Sequence, residues 1–390
     1  MKSDFNFTRS PPLSLYVHLP WCIRKCPYCD FNSHEKNNSS IDESGYIDAL
    51  AEDLGASYSL IEGRDIHSIF IGGGTPSLFT ARSIDRLLCV IDEKIGLRDN
   101  IEITLEANPG SADVDRFADY RIAGITRLSI GVQSFNQAQL QAIGRIHNDK
   151  QAIDAVKFAR LAGFEQINLD LMYGLPDQTR YQAMVDLGMA INQGTPHLSW
   201  YQLTIEPNTV YYKRPPKLPS EEKIWDIQES GHEALAQAGY DHYEISAYAR
   251  DSMYCRHNMN YWHFGDYLGI GAGAHSKITN TSNNSITRYS RYKNPDSYMQ
   301  LTGSDGAATS HWELSYEDVI LEFMMNALRL TGGFEIQAFE DMTGLPYSSL
   351  SGQLEIARKK SLLEISSNKI IPTRKGHNYL NDLLHCFMPS

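Results

Sequence analysis

Leu13-Ser14-Leu15-Tyr16-Val17-His18-Leu19-Pro20-Trp21-Cys22-Ile23-Arg24-Lys25-Cys26-Pro27-Tyr28-Cys29-Asp30-Phe31 is the stretch on which the reading of the chain turns. Its first part is a short apolar run of strand type, stopped by Pro20. The second part places Cys22, Cys26 and Cys29 within eight positions, at C-x3-C-x2-C spacing. With six cysteines in 390 residues, this clustering suits metal binding in a reducing cytosol better than a disulfide framework. Thiolates bind soft iron well, and three on one loop can wrap three corners of a cubane while leaving the fourth iron without a protein ligand. A structural zinc site stands as the alternative; it needs a fourth ligand, for which His18, Asp30 and His34 are the nearby candidates.

Outward from this loop the same plan repeats to about Leu203: a short β-rich run, then a longer segment of helical period. Strands are predicted at Leu13–His18, Ser68–Gly72, Glu102–Glu106, Arg127–Gly131, Gln166–Met172 and Leu198–Leu203. Between them Asp149–Ala162 carries Ala152, Ile153, Val156 and Ala159 on one face, with Asn148 or Asp149 to cap it and Gly163 to stop it. Six parallel βα units close into a barrel or open into a doubly wound sheet. Either way, function gathers at the C-terminal strand ends. The polar and glycine-rich motifs fall there: His18, Gly72–Thr75, Glu106, Gln133 and, within the fifth strand, Asp170.

After Pro207 the pattern fades into a segment rich in Tyr, Pro and charge, which reads as a connection. From about Ser315, a helix at Tyr316–Leu328, a helical pair at Glu335–Thr343 and Pro346–Lys360, and β-like runs at Leu362–Ile365 and Lys369–Thr373 predict a winged-helix-like module. The predicted division is 1–250 for the core barrel, 251–314 for a connecting region and 315–390 for the C-terminal domain.

Lys and Arg total 35 against 47 Asp and Glu, a net charge of −12 that repels phosphate backbones and argues against nucleic acid. The C-terminal module is therefore expected to serve packing or partner docking. The first residues lack an apolar signal core and a basic transit pattern, and no apolar run is long enough to span a membrane, so a cytoplasmic protein is expected.

The cysteine loop with its context, Tyr16 to Phe31, resembles the signature of the radical S-adenosylmethionine (SAM) superfamily. It is similar to the branch holding oxygen-independent coproporphyrinogen III dehydrogenases (HemN-type) and haem chaperones (HemW-type), and the resemblance runs over essentially the whole chain. It implies a partial (β/α)6 barrel with a mainly helical C-terminal domain, and a [4Fe-4S] cluster on Cys22, Cys26 and Cys29. It further implies a reduced cluster that gives an electron to SAM, whose carbon–sulfur bond breaks to yield a 5′-deoxyadenosyl radical.

By the same resemblance, Gly73, Gly74 and Thr75 in Gly72-Gly-Gly-Thr-Pro76 bind the methionyl amino group. Glu106, Gln133, Arg145 and Asp170 are SAM contacts, and Tyr16 and Tyr28 flank the cluster. The residue chemistry agrees: glycine lets backbone amides approach a ligand, carboxylates accept from hydroxyls and ammonium, and a guanidinium forks to a carboxylate. Taken without the family, a plain glycine turn, an Arg145–Asp170 pair or a helix cap by Glu106 are the structural alternatives.

HemN-type loops carry a further cysteine two positions after the third, where this chain has Phe31. Arg256-His257-Asn258-Met259-Asn260-Tyr261-Trp262 resembles the HNxxYW haem motif of the HemW type. That implies haem held by His257 between the aromatic rings of Tyr261 and Trp262 and delivered to membrane-associated respiratory haem proteins. An ordinary buried aromatic segment is the alternative from composition. Cys255 could touch iron or be a buried thiol, and Cys89 and Cys386 read as core. Gly269-Ile-Gly271-Ala-Gly273-Ala-His275-Ser276 resembles a further family segment and lacks the strand, helix and distal acid of a dinucleotide loop. A coproporphyrinogen dehydrogenase and a scaffold without SAM turnover remain the rival functions; the oligomeric state stays open, a homodimer included.

Overall fold

The computed structural model describes residues 5–36, 40–61, 63–110, 116–302 and 308–389. Six parallel strands lie side by side in chain order: β1 Leu13–Leu19, β2 Ile66–Gly73, β3 Glu102–Ala107, β4 Arg127–Gln133, β5 Gln166–Tyr173 and β6 His197–Gln202. They are largely buried, β4 along its whole length, as strands covered on both faces must be. The helices that cover the outer face include α1 Glu43–Ile61, α2 Ala81–Ile95, α3 Asp149–Leu161, α4 Arg180–Asn192 and α5 Glu221–Gln237. The expected cap forms at Asn148, which accepts from the Gln151 amide in a capping box ahead of α3, and Thr179 does the same for Gln182 ahead of α4.

This is the partial (β/α)6 barrel that the family resemblance implies, built on the six parallel strands that the spacing predicts, and its sheet is wider than the sequence suggests. On one edge β6 continues through the antiparallel β8 Ala247–Ala249 and β7 Asp241–Glu244. On the other, β1 pairs in parallel with β9 Asp266–Ile270, followed by the antiparallel β10 His275–Asn280, β11 Ser285–Arg291 and β12 Ala308–Glu313. The fading pattern after Pro207 therefore conceals a full helix, α5, and six further strands of the one twelve-stranded sheet.

The added strands are fastened to the barrel by a buried polar cluster. Arg291 Nε lies 2.9 Å from Asp53 Oδ1 on α1, and Tyr298 donates its hydroxyl to Asp53 Oδ2 at 2.8 Å. Both charged partners are essentially inaccessible, so each offsets the other's desolvation.

At the opposite end of the barrel from the cysteine loop sits the short helix α6 Arg256–Trp262. Its His257 amide donates to Glu102 at the first residue of β3. The C-terminal module forms a separate core around Phe323, Phe339, Leu354 and Ile370. Its helices Tyr316–Ala327, Ile336–Thr343 and Ser351–Lys359 pack with a three-stranded sheet of Phe334–Glu335, Lys369–Pro372 and Leu363–Ile365. Arg329 ties it to the barrel by an ion pair with Glu244 at 3.0 Å. Cys386 is buried there as expected, whereas Cys89, read as core, is exposed: it falls on the solvent face of α2, whose buried stripe is Ile84, Leu87, Leu88 and Ile91.

Candidate SAM and cluster site

The loop after β1 arches over the barrel mouth, and Cys22, Cys26 and Cys29 line one cavity of about 720 Å³ that descends into the lumen. None is in a disulfide. Burial pushes the Cys22 and Cys29 thiols up. Of the candidates for a fourth zinc ligand, His18 has Nδ1 against the Tyr16 hydroxyl and Nε2 against the Asn32 carbonyl, His34 Nε2 meets the Lys293 carbonyl, and Asp30 lines the cavity with the cysteines. Among the described residues, no three or more His, Cys, Asp or Glu are arranged to hold a single ion.

Below the cysteines the backbone of β2 ends at Gly73, whose φ is +121°. A Cβ on Gly74 would lie 2.5 Å from the Trp21 carbonyl oxygen, so only glycine lets the two loops meet. Their amides donate onto the cysteine loop: Gly74 N to Leu19 O and Thr75 N to Trp21 O, both at 2.8 Å. Gly144, at φ +75°, permits the equivalent approach from the other side, since a Cβ there would meet Pro27 Cδ at 2.8 Å.

The cavity walls bring together Tyr28, Gly73, Gly74, Thr75, Glu106, Gln133, Arg145 and Asp170, together with the three cysteines. Arg145 does not pair with Asp170. Its Nη2 donates to Gly131 O at 2.6 Å and Asn108 Oδ1 at 2.5 Å, and its Nη1 reaches Cys26 Sγ at 3.8 Å. Nor does Glu106 cap a helix: its Oε2 accepts from the Gly73 amide. Burial and the neighbouring Asp170 push the Glu106 carboxyl up to about 8. Asp170, also raised by burial, accepts from Ser129 and Asn168. Two buried carboxyls side by side form a receptor for a cationic ligand.

Tyr16 stands apart from this set. Its ring lies behind β1 near Phe70 and lines a second, lateral cavity. The haem motif is also divided: Trp262 faces the lumen, Tyr261 the lateral cavity, and His257 neither. His257 is 1% exposed, wedged between Phe70 at 5.1 Å and Tyr261 at 5.0 Å, with Nδ1 at 3.1 Å from Ser68 Oγ and Nε2 without a hydrogen-bond partner among the described residues. Cys255 is a buried thiol directed at Glu102.

Sequence reasoning missed Asn108 and Tyr201. Asn108 holds Arg145 and, through Nδ2, Thr75 Oγ1 at 3.2 Å; its place just past β3 in Glu106-Ala-Asn-Pro was the available signal. Tyr201, near the end of β6, donates to Gln133 Oε1 at 2.8 Å. That contact holds the side chain of a residue whose φ of +67° breaks the strand register.

Residues 16–187 match the family model of the radical SAM superfamily, and residues 314–377 match that of the HemN C-terminal domain. Fold and site thus define a radical SAM protein carrying a HemN-type C-terminal domain. Across the full length, the chain is 49% identical to the heme chaperone HemW of Haemophilus influenzae, covering 97% of this chain and 98% of that protein. Identity is 44% to the HemW of Escherichia coli, with 97% and 98% covered, and 32% to that of Bacillus subtilis, with 96% and 99% covered. The chain belongs to the HemW family of haem chaperones. Among solved structures it is similar to coproporphyrinogen III oxidase (HemN) from Escherichia coli, described as a radical SAM enzyme, with TM-score 0.82, 25% identity, and 97% and 90% of the two chains covered.

Proposed function

We propose that this protein is a haem chaperone that binds haem and hands it to membrane-associated respiratory haem proteins, on a radical SAM scaffold. The 49% identity to the Haemophilus influenzae chaperone, over 97% of the chain, carries the reading. Phe31 supports it, because it stands where the dehydrogenase pattern asks for a fourth cysteine. No helix among the described residues is long and apolar enough to cross a membrane, which accords with a cytoplasmic carrier that meets its recipients at the membrane surface.

In this reading Cys22, Cys26 and Cys29 hold a [4Fe-4S] cluster, and SAM lies below it against Tyr16, Tyr28, Gly73, Gly74, Thr75, Glu106, Gln133, Arg145 and Asp170. The thiols at one cavity wall, none in a disulfide, and the neighbouring Glu106 and Asp170 carboxyls beneath them fit that pair of groups. Cluster and SAM, when bound, supply one-electron chemistry. The protein's own residues orient and enclose: Glu106 and Asp170 receive cationic groups, Arg145 presents a guanidinium beside Cys26, and the glycine amides grip the loop. His257, Tyr261 and Trp262 form the haem segment, with the unpartnered Nε2 of His257 available once Tyr261 yields. The division at 250 and 314 belongs to the same proposal.

The deciding experiment gives the anaerobically reconstituted protein SAM and coproporphyrinogen III, and separately titrates it with haem. The chaperone reading expects a Soret band from bound haem and no protoporphyrinogen. Rapid protoporphyrinogen formation, or no haem binding, overturns it. Release of 5′-deoxyadenosine separates SAM turnover from a scaffold role.

A further inference from the structure

Behind Asp170 the barrel interior is polar, where branched apolar side chains ordinarily fill such a layer. Ser129 on β4, Asn168 and Asp170 on β5, His197 and Ser199 on β6 and Tyr243 on β7 form one hydrogen-bonded group. Ser129, Asn168, His197 and Tyr243 are all buried. A buried polar group is costly unless each member is satisfied, so its bonds are strongly specified.

The direction of every bond follows from the one carboxylate. In its ionised form Asp170 only accepts. Asn168 therefore turns its amide nitrogen to Asp170 Oδ1 at 2.8 Å, and the same nitrogen donates to Ser129 Oγ at 2.8 Å. Ser129 gives its own hydroxyl hydrogen to Asp170 Oδ2 at 3.0 Å. The Asn168 carbonyl is left facing His197 Nδ1 at 2.6 Å and Ser199 Oγ at 3.1 Å, and both donate to it. With its hydrogen on Nδ1, His197 has a bare Nε2, which accepts from the Tyr243 hydroxyl at 2.7 Å. Burial and the charge of Arg127 hold the imidazole well below its usual value, so it stays neutral.

All donors thus point one way, from Tyr243 through His197 and Asn168 to Asp170, and bonds in such a chain polarise one another. Turning the Asn168 amide over would set its oxygen against the carboxylate and its nitrogen against the His197 N–H. The imidazole is what forbids that turn, and Tyr243 is what holds the imidazole in the form that forbids it. Both oxygens of Asp170 are gripped from behind, which leaves their remaining lone pairs for the lumen that Asp170 lines.

We propose that His197, kept in its Nδ1–H form by Tyr243, is a positioning residue for SAM: through Asn168 it fixes Asp170 in the orientation that receives the ligand. The proposal rests on the reading of Asp170 as a SAM contact and adds the residues that aim it.

The test is equilibrium binding of SAM to the anaerobically reconstituted, full-length protein by calorimetry, with cluster iron content and melting profile measured for each variant. His197→Leu removes the donor to Asn168 at similar volume and is expected to weaken SAM binding about tenfold or more at unchanged iron content. His197→Asn, whose amide nitrogen can stand in for Nδ1, is expected to return the affinity to within about threefold of wild type, although its smaller side chain packs less well than leucine. Tyr243→Phe keeps the ring and frees Nε2, so the imidazole can take either form; a loss of about three- to tenfold is expected, and this variant decides the matter if His197→Leu does not fold. Wild-type affinity in His197→Leu or in Tyr243→Phe overturns the proposal, as does a His197→Asn protein that binds as weakly as His197→Leu. If the wild type itself binds no SAM, the reading of the lumen fails first, and that result is distinct from any of these.

Discussion

Glu106 Oε2 accepts the amide hydrogen of Gly73 at 3.1 Å, and no cationic side chain among the described residues pairs with that carboxylate. The end of β3 is thereby locked to the turn after β2, and a buried carboxyl is left facing the lumen with its value pushed up to about 8. Below that pH it holds its proton, and a sulfonium or ammonium group arriving beside it favours the ionised form.

Binding of SAM to the reconstituted protein should therefore release protons near neutral pH and strengthen as pH rises toward 8. Calorimetry in buffers of different ionisation enthalpy reads this directly. Glu106→Gln should remove the proton release and weaken binding about tenfold or more, because a charge-assisted contact is lost. Buffer-independent heats in the wild type would count against Glu106 as the receptor.

The pair of Asp53 and Arg291 fastens the strand extension to α1 with both side chains buried. Asp53→Ala leaves a guanidinium inside the protein without its carboxylate, and should destabilise by about 3–5 kcal/mol. Asp53→Asn, which still accepts from Tyr298 and Gly271, should cost less. Chemical denaturation curves of the three proteins check the order; a wild-type midpoint for Asp53→Ala would show that the extension is held elsewhere.

Two helical glycines make opposite predictions. A Cβ on Gly231 in α5 would sit 1.8 Å from Trp200 Cη2 on β6, so Gly231→Ala must push α5 off the sheet, at about 1–3 kcal/mol or more. Nothing lies within 4 Å of a Cβ on Gly188 in α4, where alanine should stabilise by about 0.5–1 kcal/mol through the gain in helix propensity. Melting temperatures should move in opposite directions for the two variants.

The seam between barrel and C-terminal module holds His232, His242 and His377 beside Arg374, Glu229 and Glu233. Burial lowers His232 and His377 to about 4. Their unfolded value is near 6.5, so folded protein binds fewer protons in between; the stability they contribute is complete above pH 6.5 and declines as pH falls toward 4. The denaturation midpoint should drop across that window, and the double variant His232→Gln, His377→Gln should flatten the drop. An equal slope in the variant would move the acid sensitivity to other groups.

Much of the site was readable in one dimension because each strand of a βα unit ends at the same face. Cys22 to Cys29, Gly72 to Thr75, Glu106 and Gln133 each follow or close a strand, and local period and glycine punctuation fix those ends. The capping box at Asn148 and Gln151 is equally local. The sequence thus determined the six strands, the cluster loop and the chemical character of the lumen, while the order of the strands came from their pairing in space.

What only the tertiary structure decided depends on contacts between distant segments. β9 joins β1 across some 250 positions of chain, a pairing for which strand period offers no partner. The exposure of Cys89 depends on which stripe of α2 meets the sheet. The segment that resembles a haem motif reads as one unit in sequence, yet helical rotation turns Trp262 to the lumen and Tyr261 to the lateral cavity, and buries His257 against Phe70 and Tyr261. Periodicity encodes which way a side chain faces within its own element; the neighbours it then meets are set by packing.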